Sequence, residues 1–285
     1  MTTEHRDTDA FRGATFRRVD LSGASLREVD LSGVTIRDSD VHGLRIVASV
    51  VDDVHLSGHE GVGRVWVDDV EVTAYVRAEL DSRHPVRVLV REMRTIDEVR
   101  RAWAQVDALW NDAVTHAATL PEELLHERVD DEWSFLETLR HLLFADDIWA
   151  GRMLSDEPGT FHPLGVPPTD TTDAGAAEMG LTLTARAPFV EVAALQQDRR
   201  RRFTALLDGV NDADLFEVRT AVLAPDWGEE SFTVLECLTV VVREHVEHLR
   251  FAERDLAVLE AQSVGAAQAG SSSLSSPTAS SESTR

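Results

Sequence analysis

From Phe11 to Leu56 an apolar residue stands at every fifth position: Phe11, Phe16, Leu21, Leu26, Leu31, Ile36, Val41, Ile46, Val51 and Leu56. A period of five fits neither the 3.6-residue turn of an α-helix nor the two-residue alternation of a strand. The segment must therefore be a repeat structure, which constrains the fold before any composition is weighed. A small or β-branched residue precedes most of these positions by two, at Ala14, Val19, Ala24, Val29, Val34 and Ser39. Asp20, Asp30, Ser22 and Ser32 fall on outward positions between them.

Segments such as FRGATFRRVDLSGASLREVD resemble the pentapeptide-repeat family. The resemblance implies a right-handed quadrilateral β-helix in which the large apolar residue points into the coil and the small one lines a corner. It covers about residues 11–58, with drift at VHGLR and IVASV. With four repeats to a coil, as the family implies, the stack has about two to three coils, and so short a solenoid needs a neighbour to cap it. Residues 1–60 are thus expected to be a structural cap or docking surface without chemistry. Residues 61–94 read as a connector. Val65–Val67 and Val70–Val72 look like short strands, and Arg83-His84-Pro85 breaks the chain before the apolar run Val86–Val90.

From Thr95 the period becomes helical. A first helix is expected over 95–118, with Ile96, Val99, Trp103, Val106, Leu109, Trp110 and Val114 inward and Thr95 and Glu98 forming a capping box. A second begins at Ser134, where Ser134 and Glu137 form another box, and continues through Met153. Pro158, Pro163, Pro167 and Pro168 forbid a regular element, so 155–187 is expected to be a long crossover loop. Third and fourth helices are expected over 189–207 and 232–262, followed by a Ser-rich tail, 263–285, that cannot bury enough apolar surface to order itself. The fold class is therefore mainly α: a four-helix bundle with one long crossover at 95–262, behind the short β-helix.

Composition narrows the partners. Acidic residues outnumber basic ones 51 to 28, for a formal charge of −23, and such a field repels phosphate backbones. Arg199–Arg202 is the one basic run, read as a solvated helix face, so no nucleic acid is expected. No stretch approaches the roughly 20 apolar residues of a membrane span, so no membrane is expected either. The start, MTTEHRDTDAFRG, lacks the pattern of a secretory signal, and Cys237 stands alone. Cytoplasmic location is the expectation.

One constellation carries chemistry. Glu244 and His248 are four residues apart on the fourth helix, on a stripe shared with Val234, Cys237, Val241 and Phe251. Inward polar groups need compensation, which a divalent metal supplies. His141 lies in the apolar run LRHLLF of the second helix and offers a third donor. Three nitrogen and carboxylate ligands leave a coordination position open, the pattern of catalytic rather than structural zinc. From spacing alone His245, three residues before His248, competes with Glu244. Other residues rank lower. His162 in the crossover reads as a solvated loop histidine, Asp226-Trp227-Gly228 as a turn or a cover for the metal end, and Cys237 as a small core residue.

Trp133-Ser134, Glu137, Leu139-x-His141-Leu142 and Glu244-x-x-x-His248, taken together, are similar to the DinB superfamily of metal-binding four-helix bundles, over roughly 95–260. Most members have His-x-x-x-His on the last helix, whereas the mycothiol-dependent branch, with maleylpyruvate isomerase, has Glu first. Glu244 places this chain nearer that branch and leaves His245 behind the ligands or in packing. The resemblance implies a zinc ion, with nickel or iron as alternatives, whose open position binds the thiolate of a small thiol such as mycothiol. It implies a thiol-dependent S-transferase or isomerase acting on a small electrophile, the transferase being the expectation here. The extra C-terminal domain of the isomerases is not matched here, where the additional segment is N-terminal. A homodimer is reasonable for such bundles. The rival expectation is a non-enzymatic metal-binding or scaffold protein that uses the β-helix to dock a partner.

Overall fold

The structure is a computed structural model that describes residues 5–273, except 7, 48, 52–53, 57–62, 131, 156–158, 170 and 226; for 264–273 the backbone alone is described. Two compact units divide at Ala48/Ser49.

In the first unit the five-residue period is a period of turns. Left-handed backbone recurs at Gly13, Arg18, Gly23, Glu28, Gly33, Asp38 and Gly43. Every second turn is closed by a backbone bond, Ala14 to Phe11, Ala24 to Leu21, Val34 to Leu31 and Leu44 to Val41, each 3.0 Å. Asp20, Asp30 and Asp40 each accept the backbone N–H two residues on, as short carboxylate side chains do in turns. Among the described residues of this unit there is no β-strand. The expected inward rows do not close either: Phe11 is 45% exposed and Leu26 67%. The quadrilateral β-helix with its filled coil is therefore not displayed here. Turn chemistry is local and survives in a short repeat, whereas a filled interior needs layers above and below to cover it.

The second unit opens with a minimal hairpin, β1 (Trp66–Val67) and β2 (Val70–Glu71), at the place expected for strands. The rest of the expected connector is helical: α1 (Thr73–Arg83) and α2 (Val86–Glu92). His84-Pro85 breaks the chain between them, but the apolar run after the proline continues as helix because Pro85 stands just ahead of its first turn, where no N–H is needed.

Four long helices follow: α3 (Ile96–Ala117), α5 (Phe135–Asp146), α7 (Phe189–Gly209) and α8 (Val234–Ser273), with the single turn α4 (Glu122–Leu125) after α3. Both expected capping boxes form, Thr95 with Glu98 and Ser134 with Glu137. Helix α3 packs on α7 and α8, and α5 packs on the same two, so α3 and α5 stand diagonally across the bundle. Trp103, Val106 and Trp110 from α3, Leu139 and Leu142 from α5, Val192 and Phe203 from α7, and Val242 and Leu249 from α8 fill the interior.

Three boundaries depart from expectation. Helix α5 does not run unbroken to Met153; at Asp147 it widens into a π-helical stretch, Asp147–Met153. The crossover contains a short helix, α6 (Asp173–Glu178), started by the Thr172 hydroxyl, which accepts the Gly175 N–H. Helix α8 begins after an antiparallel hairpin, β3 (Val218–Val222) and β4 (Glu229–Thr233), and continues to Ser273, past the expected end at 262. Alanines at 266, 267 and 269 carry the helix on. The remainder of the expected tail, 274–285, lies outside the described residues. No helix among the described residues is long and apolar enough to cross a membrane.

One side chain ties the crossover to the bundle. Arg140 is buried, and its guanidinium donates to the carbonyls of Leu164, Ala185, Thr182 and Leu183 at 2.7–3.3 Å. Its own carbonyl accepts the Val166 N–H at 3.1 Å. Replacing Arg140 by Met strands these carbonyls, so a loss of about 3 kcal/mol in urea unfolding is expected, together with new proteolytic cleavage between 161 and 187.

Candidate metal centre

The crossover strap that Arg140 anchors also orients the next residue. Val166 O lies 2.9 Å from His141 Nδ1. A carbonyl can only accept, so Nδ1 carries a proton and Nε2 is the ring nitrogen left to face another partner. That nitrogen faces α8, 3.6 Å from Glu244 Oε2; His248 Nε2 lies 3.3 Å from the same oxygen. The three donor atoms all stand within 4.8 Å of one another. Two donors held about 2.0–2.1 Å from a shared tetrahedral ion are about 3.3–3.4 Å apart, close to the 3.6 and 3.3 Å of the two carboxylate–imidazole pairs.

Charge states suit it too. Burial on its own would raise the Glu244 carboxyl, but hydrogen bonds from His141 and His248 and their charges overcome it, holding Glu244 far below the usual carboxylate range. Burial, reinforced by the charge of His141, pushes His248 below the ordinary imidazole value despite the opposing pull of Glu244. An anionic carboxylate and a neutral imidazole are the forms that ligate. The opening is on the α8 side: side-chain exposure is 19% at Glu244 and 13% at His248, against 5% at His141. Trp133, in the approach to α5, walls the cluster, its ring centroid 4.3 Å from that of His141 and 5.8 Å from that of His248.

The competition between Glu244 and His245 is resolved by direction. His245 is fully buried on another face of α8, its Nε2 3.0 Å from Asp146 Oδ1 and its ring edge-on to Trp103 and Trp110. One residue of helix turns a side chain by about 100°, which here carries His245 away from the group formed by His141, Glu244 and His248.

His162 is an anchoring residue of the crossover. Its N–H donates to Asp147 Oδ2 at 2.8 Å and its Nδ1 accepts the Leu164 N–H at 3.2 Å. Trp227 sits at the tip of the β3–β4 hairpin, its N–H bonded to Ala224, while Asp226 lies outside the described residues. Arg199–Arg202 is only half a solvated face. Arg201 and Arg202 are exposed and pair with Asp198. Arg199 reaches Asp147, and Arg200 is buried against Gln196, Asp107 and Asn111. Two of the four guanidiniums are inward because acceptors on α3 and on the π-helical stretch wait for them, which spacing along one helix cannot reveal. Asp146 and Arg140 carry no functional reading in the sequence, and Trp133 enters it only through the family resemblance; Trp133 and Arg140 flank the capping box and His141, the nearest thing to a signal.

Cys237 is fully buried, and burial together with Glu236 pushes its thiol up to about 12. Alkylation by iodoacetamide is expected to occur at the rate of unfolding and not before. Acid should weaken the fold. Burial holds His84, His126, His162 and His248 below the ordinary value of 6.5. The unfolded chain then binds more protons as pH falls through that value, so stability drops from about pH 6.5 downward until the folded-state values are passed. The urea midpoint of metal-free protein measured at pH 7.5 and at pH 5.5 checks this, the lower value being expected at pH 5.5.

Pentapeptide repeats match in eight copies over residues 10–43. No curated protein and no solved structure matches the chain. The DinB superfamily matches residues 105–252, a span that takes in all three clustered ligand candidates, the whole of α5 and α8 as far as Ala252. Since that is more than half of the sequence, the chain belongs to the DinB superfamily.

Proposed function

We propose that this chain holds one divalent metal ion, zinc in the first instance, between His141, Glu244 and His248, and uses it to activate a small thiol. The observation that carries the reading is the donor set: a single carboxylate oxygen 3.6 and 3.3 Å from two imidazole nitrogens, one of them fixed by Val166 in the tautomer that ligates. A bound metal with an open position would lower the pKa of a thiol there and supply a nucleophile near neutral pH. Val166 keeps the Nε2 lone pair of His141 available, Glu244 supplies the negative charge, and Trp133 screens one side from water. Glu244 in the position where most superfamily members have His favours the mycothiol-dependent branch. The reaction is then S-transfer: the thiol sulfur bonds to an electrophilic carbon, the leaving group departs with its electron pair, and the thiol proton goes to solvent. Nickel or iron in place of zinc leaves this reading intact.

Metal analysis of untagged protein by plasma mass spectrometry, with thiol added in a weakly buffered solution, tests it. About one zinc per chain is expected, with proton release on thiol addition, and none in His141→Ala. Protein that takes up no metal near neutral pH, or His141→Ala with unchanged content, overturns the assignment.

A second reading keeps one observation of its own. The apolar residues from Phe11 to Ile46 are about half exposed, which suits a docking surface for a partner protein. On that reading the bundle is a scaffold, and no electrophile is consumed with thiol.

A further inference from the structure

At the depth of the bundle where α5 and α8 exchange His141 for Glu244, a second polar contact joins the same two helices. Asp146 Oδ1 and His245 Nε2 are 3.0 Å apart, and neither side chain is more than 2% exposed. Trp103 and Trp110 of α3 close around the imidazole with ring centroids 5.0 and 6.2 Å away, and the Trp110 N–H donates to the His245 carbonyl at 3.1 Å. Arg200, from α7, lies close enough for the Asp146 charge to act on it. All four long helices therefore meet around this pair.

Stability does not explain it. Asp146 Oδ2 and His245 Nδ1 are buried without a hydrogen-bond partner, so the contact leaves two polar atoms uncompensated. A buried ionisable pair is often no better than well-packed apolar residues of the same volume, and its best-attested role is to fix register. Position supplies the reason. His245 immediately follows Glu244 and lies three residues before His248, while Asp146 is five residues beyond His141 and is the last residue before the backbone widens into the π-helical stretch. Such widenings gather at functional sites. An apolar seam would let α8 slide or rotate by a fraction of a turn at little cost. A directional bond at 3.0 Å would not.

We infer that Asp146 and His245 are positioning residues: their bond sets the register of α8 on α5 and so brings Glu244 and His248 to the distance from His141 at which all three can hold one ion. The inference rests on the metal reading above. The edge-on tryptophans keep the imidazole in the one orientation that reaches Asp146.

The test is Co2+ titration of the full chain, followed by the visible absorption of the bound ion, with urea unfolding of each metal-free variant alongside. The double variant Asp146→Leu/His245→Leu should bind Co2+ at least about tenfold more weakly, with an altered spectrum, while its urea midpoint stays level or rises. Asp146→Asn keeps an acceptor for the imidazole and should retain affinity and spectrum close to those of the wild-type chain. His245→Asn, whose side chain is too short to span the contact, should lose affinity and serves if the double variant does not fold. If the double variant or His245→Asn binds Co2+ with wild-type affinity and spectrum, whatever its stability, the inference is overturned and the metal reading stands. A wild-type chain that takes up no Co2+ overturns both.

Discussion

Burying a carboxylate among apolar side chains is tolerable only where the charge is met, and the bundle is arranged around that requirement. Glu244 reaches inward from α8 to His141 and His248. His141 can answer because its other nitrogen is held by Val166 in the crossover, and the crossover is held by Arg140. The chain of dependence runs from one buried charge through an imidazole and a guanidinium to a strap that would otherwise be a proline-rich loop. Remove the strap and His141 loses its tautomer; remove Glu244 and two imidazoles share a pocket without an anion. Local geometry and charge state depend on the same few bonds.

Polar groups inside this bundle are layered. His141, Glu244 and His248 form an open cluster, partly reached by solvent and walled by Trp133. Next to it in sequence, and turned inward, Asp146 and His245 form a closed one among Trp103 and Trp110. Adjacent residues of one helix, Glu244 and His245, thus serve different environments about 100° apart. The open layer has the donors and the access that ligand exchange needs. The closed layer has directionality but no access, which suits holding helices rather than holding ligands.

The repeat unit follows a different logic. Its regularity lies in turns, set by glycines and by Asp20, Asp30 and Asp40 bonding to their own backbone. Those bonds reach two or three residues and need no tertiary partner. A filled core needs other layers, and the described repeats leave residues such as Leu26 and Ile36 more than half exposed. The five-residue pattern is therefore matched by periodic turns, while a closed β-helix is not displayed among the described residues.

Taken alone, the sequence determined what depends on nearest neighbours and on helical period. The start of α3 at Thr95 and of α5 at Ser134, the inward stripe of α3, and the shared face of Glu244 and His248 were all legible, because capping and the 3.6-residue turn are local. His141 was legible as a polar residue in an apolar run of another helix, and the family resemblance added the preference for Glu244 over His245. What only tertiary structure decided involves partners far apart in the chain. Asp146 takes His245 out of the candidate ligand set across 99 residues, and Arg200 turns inward because Asp107 and Asn111 on α3 accept from it. The apolar run Val86–Val90 and the widening at Asp147 were equally out of reach, since short apolar runs read alike as helix or strand and a π-helical turn has no sequence period of its own. Direction within the bundle is set by which side chain finds an acceptor, and that acceptor is supplied by another helix.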